Sequence, residues 1–289
     1  MKHIQNLLSI IAIALIPQIS IAQASPGLNV TLGPVKGHLL VVGGNAKSDA
    51  IFEKFIELAG GPEASIVCIP TAGGQEFYDE NAGSAGALRR LGARNISVLH
   101  TSDKNEANTE EFVGPLMEAK GVWFGGGRQW RLVDSYKGTK TEELFWKVLD
   151  RGGVIGGSSA GATIQGSYLA RGDTKNNQIM MGDHEEGFGF IKNIAIDQHV
   201  IARNRHFDMF DILKNRPELL GISIDENTAI IVEGNQFEVI GQSYVIIYDG
   251  SFWSREGSNL KTLPESNQMF YFLREGDKYD MAERKIIED

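Results

Sequence analysis

The 289-residue chain contains one cysteine, Cys68, so no disulfide can form within it and no cysteine-based zinc site can be built. Cys68 sits in the apolar run SIVCIP, the setting of a small buried thiol in a strand. Basic runs are also missing. With a formal net charge of -9 and a pI near 5.3, the chain offers no cationic patch to nucleic acid. No HExxH and no close histidine pair occurs, and His199 and His206 stand too far apart in sequence to suggest paired ligands, so neither a metal nor a cofactor is expected. There is no internal repeat and no linker rich in Pro, Gly or Ser, which makes one domain over residues 23–289 the simpler organisation.

One long apolar stretch is present. Lys2 and His3 precede LLSIIAIALI, and Ser20-Ile21-Ala22 supplies small residues at a spacing that a signal peptidase accepts. Residues 1–22 are therefore expected to be a secretory signal peptide, directing the chain to a periplasm or out of the cell. The alternative is an uncleaved membrane anchor, but the apolar core falls short of the roughly 20 residues a span needs, and Pro17 interrupts it. An exported chain without a disulfide implies a core large enough to need no staple, which 42% hydrophobic content can provide.

Beyond residue 27, apolar strands alternate with helical patterns. HLLVVGG predicts a buried strand, and SDAIFEKFIELAGG a helix closed by a double glycine. SIVCIPTAGG, NISVLH and VWFGGG predict further strands, with helices before the last two, and the segment from Trp130 to Val148 predicts one more helix. This alternation argues for an α/β fold with a mostly parallel sheet covered on both faces by helices. Ligands of such sheets gather at the carboxyl ends of strands, where the glycine clusters at 43–44, 73–74, 125–127 and 156–157 would lie. After Ala162 the pattern changes. NIAIDQHV, GISIDENTAIIVEG and QFEVIGQSYVIIYDG read as strands, with Gly234-Asn235 as a hairpin turn, MFDILKNRPELL as a helix until Pro217, and the segment from Phe252 on as an edge strand with a solvated tail.

Gly157-Ser158-Ser159-Ala160-Gly161 fits G-x-S-x-G, in which a serine on a sharp strand-to-helix turn needs neighbours without bulk. On spacing alone, the same glycines would also suit an ordinary tight loop or a phosphate-cradling turn. If Ser159 is a nucleophile, it needs a base and oxyanion donors. The amide of Ala160 and one from Gly125 to Gly127 are the candidate donors. Among the six histidines, His199 ends an apolar strand on the expected edge, and His206 is the runner-up. His38 and His100 border strands, and His184 sits in a charged loop. Asp225-Glu226 ends another strand and could orient an imidazole or simply form a turn.

SAGA after a glycine-rich strand, FGGGRQWRL, DQH followed by spaced arginines, and GISIDENTA together resemble the serine peptidase family that includes cyanophycinases and peptidase E-like aspartyl dipeptidases. The resemblance covers about Leu39 to Gly250 and is nearer to the cyanophycinase members. It implies a fold like that of class I glutamine amidotransferases, a homodimer, and a Ser-His-Glu triad of Ser159, His199 and Glu226. Gly127 and Ala160 would supply the oxyanion amides, and Gln129, Asp197, Gln198, Arg203 and Arg205 would shape the substrate pocket. The activity implied is removal of β-aspartyl-arginine dipeptides from cyanophycin, an arginine-bearing polyaspartate. Asp208 stands where the family pattern has a third arginine, a charge reversal that bears on the substrate more than on the chemistry. An α-aspartyl dipeptidase and a secreted peptide-binding protein without catalysis are the alternatives.

Overall fold

Leu39, Leu40, Val41 and Val42 are all shut off from solvent, so the strand they form must be covered on both faces. The computed structural model describes residues 31–257 and 262–288, and residues from Thr31 on cluster as one unit. The expected signal peptide over residues 1–22 lies outside the described residues. At the centre, β1 (His38–Val42), β5 (Val154–Ser158), β4 (Gly121–Phe124), β2 (Ser65–Ile69) and β3 (Asn95–Val98) pair side by side, all parallel. Beyond β1 the same sheet continues antiparallel through β9 (Thr228–Glu233), β10 (Gln236–Gly241), β13 (Lys278–Asp280) and β14 (Lys285–Ile287).

Side-chain alternation divides the core between two layers. Leu40, Val42, Cys68 and Trp123 face α1 (Asp49–Ala59) and α2 (Gly83–Arg90), meeting Ile51, Phe55 and Leu88. Leu39, Val41, Val67 and Phe124 face the other way, toward α3 (Glu110–Met117), α4 (Trp130–Tyr136) and α5 (Lys140–Asp150). The α/β expectation with a largely parallel central sheet flanked by helices is borne out. A glycine inside β5 has a packing cause: a Cβ on Gly156 would stand 2.8 Å from both Phe55 and Trp123, whose rings meet edge-on at 5.0 Å.

A second sheet packs on the α3–α5 side. It contains β6 (Gly166–Tyr168), β7 (Ile191–Gln198) and β8 (Leu220–Ile224) in parallel, then β11 (Val245–Tyr248) and β12 (Tyr271–Leu273) antiparallel. Ile194, Ile196, Ile222 and Ile224 join the core that holds Leu39 and Phe124. On its outer face, Ala195, Ile246 and Tyr248 pack against Met209 and Ile212 of α7 (Met209–Asn215). Several local expectations change accordingly. GISIDENTAIIVEG is split between sheets, with β8 in one and β9 in the other, and β10 and β11 split the next stretch in the same way. The single helix expected over 130–148 breaks at Lys137–Thr139, where Gly138 is left-handed and Thr139 caps α5 through the Glu142 amide. The C-terminal segment forms three short paired strands, because Tyr271, Leu273 and Tyr279 bury their side chains against the core. The Gly234-Asn235 turn does join β9 and β10 as a two-residue hairpin, with Gly234 at positive φ.

Phe55 is fully buried at the Trp123–Gly156 contact, whereas Phe77 is 79% exposed. Phe55→Ala is expected to cost about 3–5 kcal/mol in urea unfolding. Phe77→Ala should leave the midpoint nearly unchanged.

Candidate active site

The bend at Ser159 is forced by close backbone packing. A Cβ on Gly157 would lie 2.3 Å from the Gly161 carbonyl oxygen, and one on Gly161 would lie 2.2 Å from that of Phe124. No larger residue fits either place. Ser159 itself has φ 58 and ψ -113, a strained conformation for a residue with a side chain. It is held there because its N–H donates to the Val42 carbonyl at 3.0 Å while its own carbonyl accepts from Ala162 and Thr163. α6 (Ala160–Thr163) follows as a single turn. Ser158 is the last residue of β5, and Ser159 is the one that stands in the bend.

His199 follows β7 with φ 55, and its N–H donates to the Gly43 carbonyl at 2.9 Å. Its ring occupies space left by Gly44, where a Cβ would stand 2.2 Å from the His199 Cε1. His199 Nε2 lies 2.9 Å from Ser159 Oγ, and Nδ1 lies 2.7 Å from Glu226 Oε1. Glu226 lies between β8 and β9, and its other oxygen accepts from Asn45 Nδ2 at 2.7 Å. Its neighbour Asp225 has a different task. Asp225 Oδ1 accepts from the Ile201 and Ala202 amides, and Oδ2 from the Ser243 hydroxyl, which pins the chain just after His199. The two readings of the acidic pair thus fall on different residues.

The electrostatics favour a neutral imidazole. Burial pushes the His199 pKa below its usual value, and the nearby Arg203 and Arg205 charges push the same way against the pull of Glu226. Glu226 is held below the usual carboxylate range by the Asn45 hydrogen bond first, and then by His199 and the Arg203 charge. An ionised carboxylate at Nδ1 fixes the proton on that nitrogen, leaving Nε2 free to accept one from a hydroxyl. Such a hydroxyl–imidazole–carboxylate line can deprotonate its own serine when a carbonyl carbon is presented to it.

Gly126 and Gly127 follow β4 beside this line. A Cβ on Gly126 would come within 3.5 Å of the Ser159 Cβ, and one on Gly127, at φ 142, would strike the Ala72 carbonyl. Neither glycine amide has an acceptor among the described residues, and the Ala160 amide opens α6. A cavity of about 590 Å³ opens here, lined by Ser158, Gly126, Asn45, Tyr78, Asp79 and Trp123 among others.

The residues expected to hold substrate are mostly enclosed. Gln129 is buried and donates its amide to the Ala170 carbonyl at 2.6 Å. Asp197 is fully buried and paired with Arg171. Gln198 Oε1 accepts from Arg205 Nη1 at 3.2 Å, and both are buried; Arg203 is exposed. The other histidines in the described residues lie away from Ser159. His100 bonds Thr71, His184 sits between Asp134 and Asp183, His38 begins β1, and His206 rests near Phe272. Sequence reasoning did not reach Asn45, Arg171 or the part played by Gly44. The Gly43-Gly44 pair was the one visible signal, and it read only as a strand end.

Residues 39–240 match the profile of Peptidase family S51. The cyanophycinase of Geminocystis herdmanii is 28% identical over 259 residues, covering 85% of this chain and 94% of that protein. The cyanophycinase of a Nostoc species is 28% identical over 267 residues, covering 87% and 88% respectively. Among solved structures, a peptidase from an acI-B1 actinobacterium superposes with a TM-score of 0.63 at 25% identity, over 86% of this chain and 98% of that one. A putative peptidase E protein from Listeria monocytogenes shares the fold, with a TM-score of 0.52 at 18% identity over 72% of this chain and 100% of its own. Because the family match takes in most of β1, every strand from β2 to β9 and most of β10, and with them the Ser159 bend, this chain belongs to peptidase family S51, a family of serine-type peptidases.

Proposed function

We propose that this protein is an exported serine exopeptidase that cleaves aspartyl bonds, with cyanophycin as its polymer substrate and β-aspartyl-arginine as its product. The observation that carries the reading is the continuous hydrogen-bonded line from Ser159 Oγ through His199 to Glu226, at 2.9 and 2.7 Å. In this mechanism His199 Nε2 takes the Ser159 proton as Oγ attacks the carbonyl carbon. The amides of Ala160 and Gly127 receive the oxyanion, and His199 then passes its proton to the leaving amine. Water repeats the cycle on the acyl-enzyme, and Glu226 stabilises the imidazolium each time it forms. The names of the curated relatives support the polymer, and the apolar N-terminal pattern supports export. A homodimer is proposed on the resemblance alone. The second reading, an aspartyl dipeptidase, is favoured by one feature, the acidic Asp208 beside the enclosed Asp197–Arg171 pair.

Incubation with cyanophycin granules, a panel of Asp-X dipeptides and a serine-reactive probe separates the readings. Granule clearing with release of β-aspartyl-arginine supports the first, and cleavage of dipeptides alone supports the second. No turnover and no labelling of Ser159 would sink both.

Ser159→Ala and His199→Ala are each expected to lower kcat at least about a hundredfold with the unfolding midpoint retained. Gly44→Ala should cost a similar factor, since its Cβ claims the space of the imidazole, and circular dichroism would show the fold intact. The pH profile of kcat/KM checks the electrostatics. Activity needs neutral His199, whose pKa is lowered, so the acid limb should fall below pH 6.5 and activity should be flat through neutrality. Arg203→Ala removes one of the lowering charges and should move that limb upward.

A further inference from the structure

Asp197, next to last in β7 and two positions ahead of His199, is 0% exposed, so its charge must be answered from within the fold. Arg171, 1% exposed, answers it with a two-pronged contact: Nε to Oδ1 at 2.7 Å and Nη2 to Oδ2 at 2.9 Å. The remaining Arg171 donors reach Asp208 Oδ2 at 2.5 Å and the Asn177 carbonyl at 2.9 Å. Asp197 Oδ1 also takes the Gln198 N–H at 2.9 Å, so both carboxylate oxygens are in use. The residue before Arg171 engages a second pocket candidate, because the Ala170 carbonyl accepts the Gln129 amide. Gln198, the third, is held by Arg205. The acidic groups behind His199, Asp197 and Asp208, are therefore both taken by Arg171, the Gln198 oxygen is taken by Arg205, and the Gln129 side-chain N–H is spent on Ala170. The charges of this cluster also cancel, with Asp197 and Asp208 against Arg171 and Arg205. What is left over beside His199 is the exposed cation Arg203, whose N–H donates to the His199 carbonyl at 2.9 Å.

We infer that Arg171 is a specificity-determining residue, a built-in guanidinium that fills Asp197, so that the site recognises a substrate carboxylate through Arg203 and does not select for a substrate arginine side chain. This rests on the hydrolytic reading of Ser159 given above. A substrate guanidinium could reach Asp197 only by breaking both prongs of the Arg171 contact, and stripping one partner from a buried pair is strongly unfavourable. A carboxylate meets no such barrier at Arg203. Asp208 belongs to the same device. It takes up the donor that Asp197 leaves free and keeps the Arg171 fork aligned.

The test uses aspartate oligomers whose β-carboxyls carry either arginine or citrulline, which has the same shape without the charge. Wild-type enzyme is expected to cut the two with kcat/KM values within about tenfold of each other, and to lose at least a hundredfold when the branch carboxylates are amidated. Arg171→Gln, which uncovers Asp197, should create a preference for arginine over citrulline of ten-fold or more. Adding Asp208→Arg, which returns a cation to Asp197 from the residue that precedes α7, should abolish that preference. A general loss of structure would lower both rates together and leave their ratio unchanged. If wild-type enzyme prefers arginine a hundredfold or more, the inference is overturned while the hydrolytic reading stands. If neither branch is cut, that reading fails, and dissociation constants for the Ser159→Ala protein decide the inference without turnover. Equal values for the two branches support it; a hundredfold tighter arginine branch, or no binding of either, overturns it.

Discussion

Two sheets meet at their carboxyl ends through a handful of backbone hydrogen bonds, and the whole reactive line hangs on that seam. Ser159 leaves the central sheet at β5, while His199 leaves the second sheet at β7. Glu226 sits on the short crossing from β8 to β9, the place where the chain passes from one sheet to the other. The His199 N–H bonds the Gly43 carbonyl and the Asn227 N–H bonds the Gly44 carbonyl, both at 2.9 Å, while Asn227 Oδ1 collects the Lys47 and Ser48 amides. These contacts fix the spacing of imidazole, hydroxyl and carboxylate more directly than any contact among the three side chains does. They also explain why Asp225 is buried and fully bonded: it anchors the loop after His199 to the same crossing.

The charged groups around the seam are arranged in two tiers. Nearest the serine, the imidazole is kept neutral by burial and by neighbouring cations, and the carboxylate is kept ionised by Asn45. Behind His199, Arg171 and Arg205 balance Asp197 and Asp208, and the buried Arg171–Asp197 contact adds rigidity to the end of β7 with little net field. Arginine suits that place because its planar fork satisfies both oxygens of one carboxylate and still has donors for a second.

Much of this was legible in the sequence where the cause is local. Gly157 is dictated by a local contact with the Gly161 carbonyl, so G-x-S-x-G marked a tight turn, although its spacing alone also suited a phosphate-cradling loop; Gly161 answers to Phe124 on a neighbouring strand. Of the central strands, β1, β2, β4 and β5 showed themselves as apolar runs leading into glycine. His199 and Glu226 were visible as polar residues at strand ends, but their meeting depends on pairing between remote strands, and only the family resemblance named them as partners. The second sheet was invisible for the same reason. Both halves of GISIDENTAIIVEG are buried strands, and no local feature says that they enter different sheets. Arg171 gave no local sign at all, since its partners Asp197 and Asp208 lie 26 and 37 positions away.

The space left open at Gly44 has a use beyond this molecule. A methyl group there cannot coexist with the imidazole ring, because the two would occupy the same volume. A related chain that has given up its histidine loses one of two reasons to keep glycine at the matching position, the other being the backbone conformation at φ 137, whereas one that keeps the imidazole in this place cannot exchange it. A larger residue at that position therefore marks a chain in which the imidazole no longer stands beside the serine.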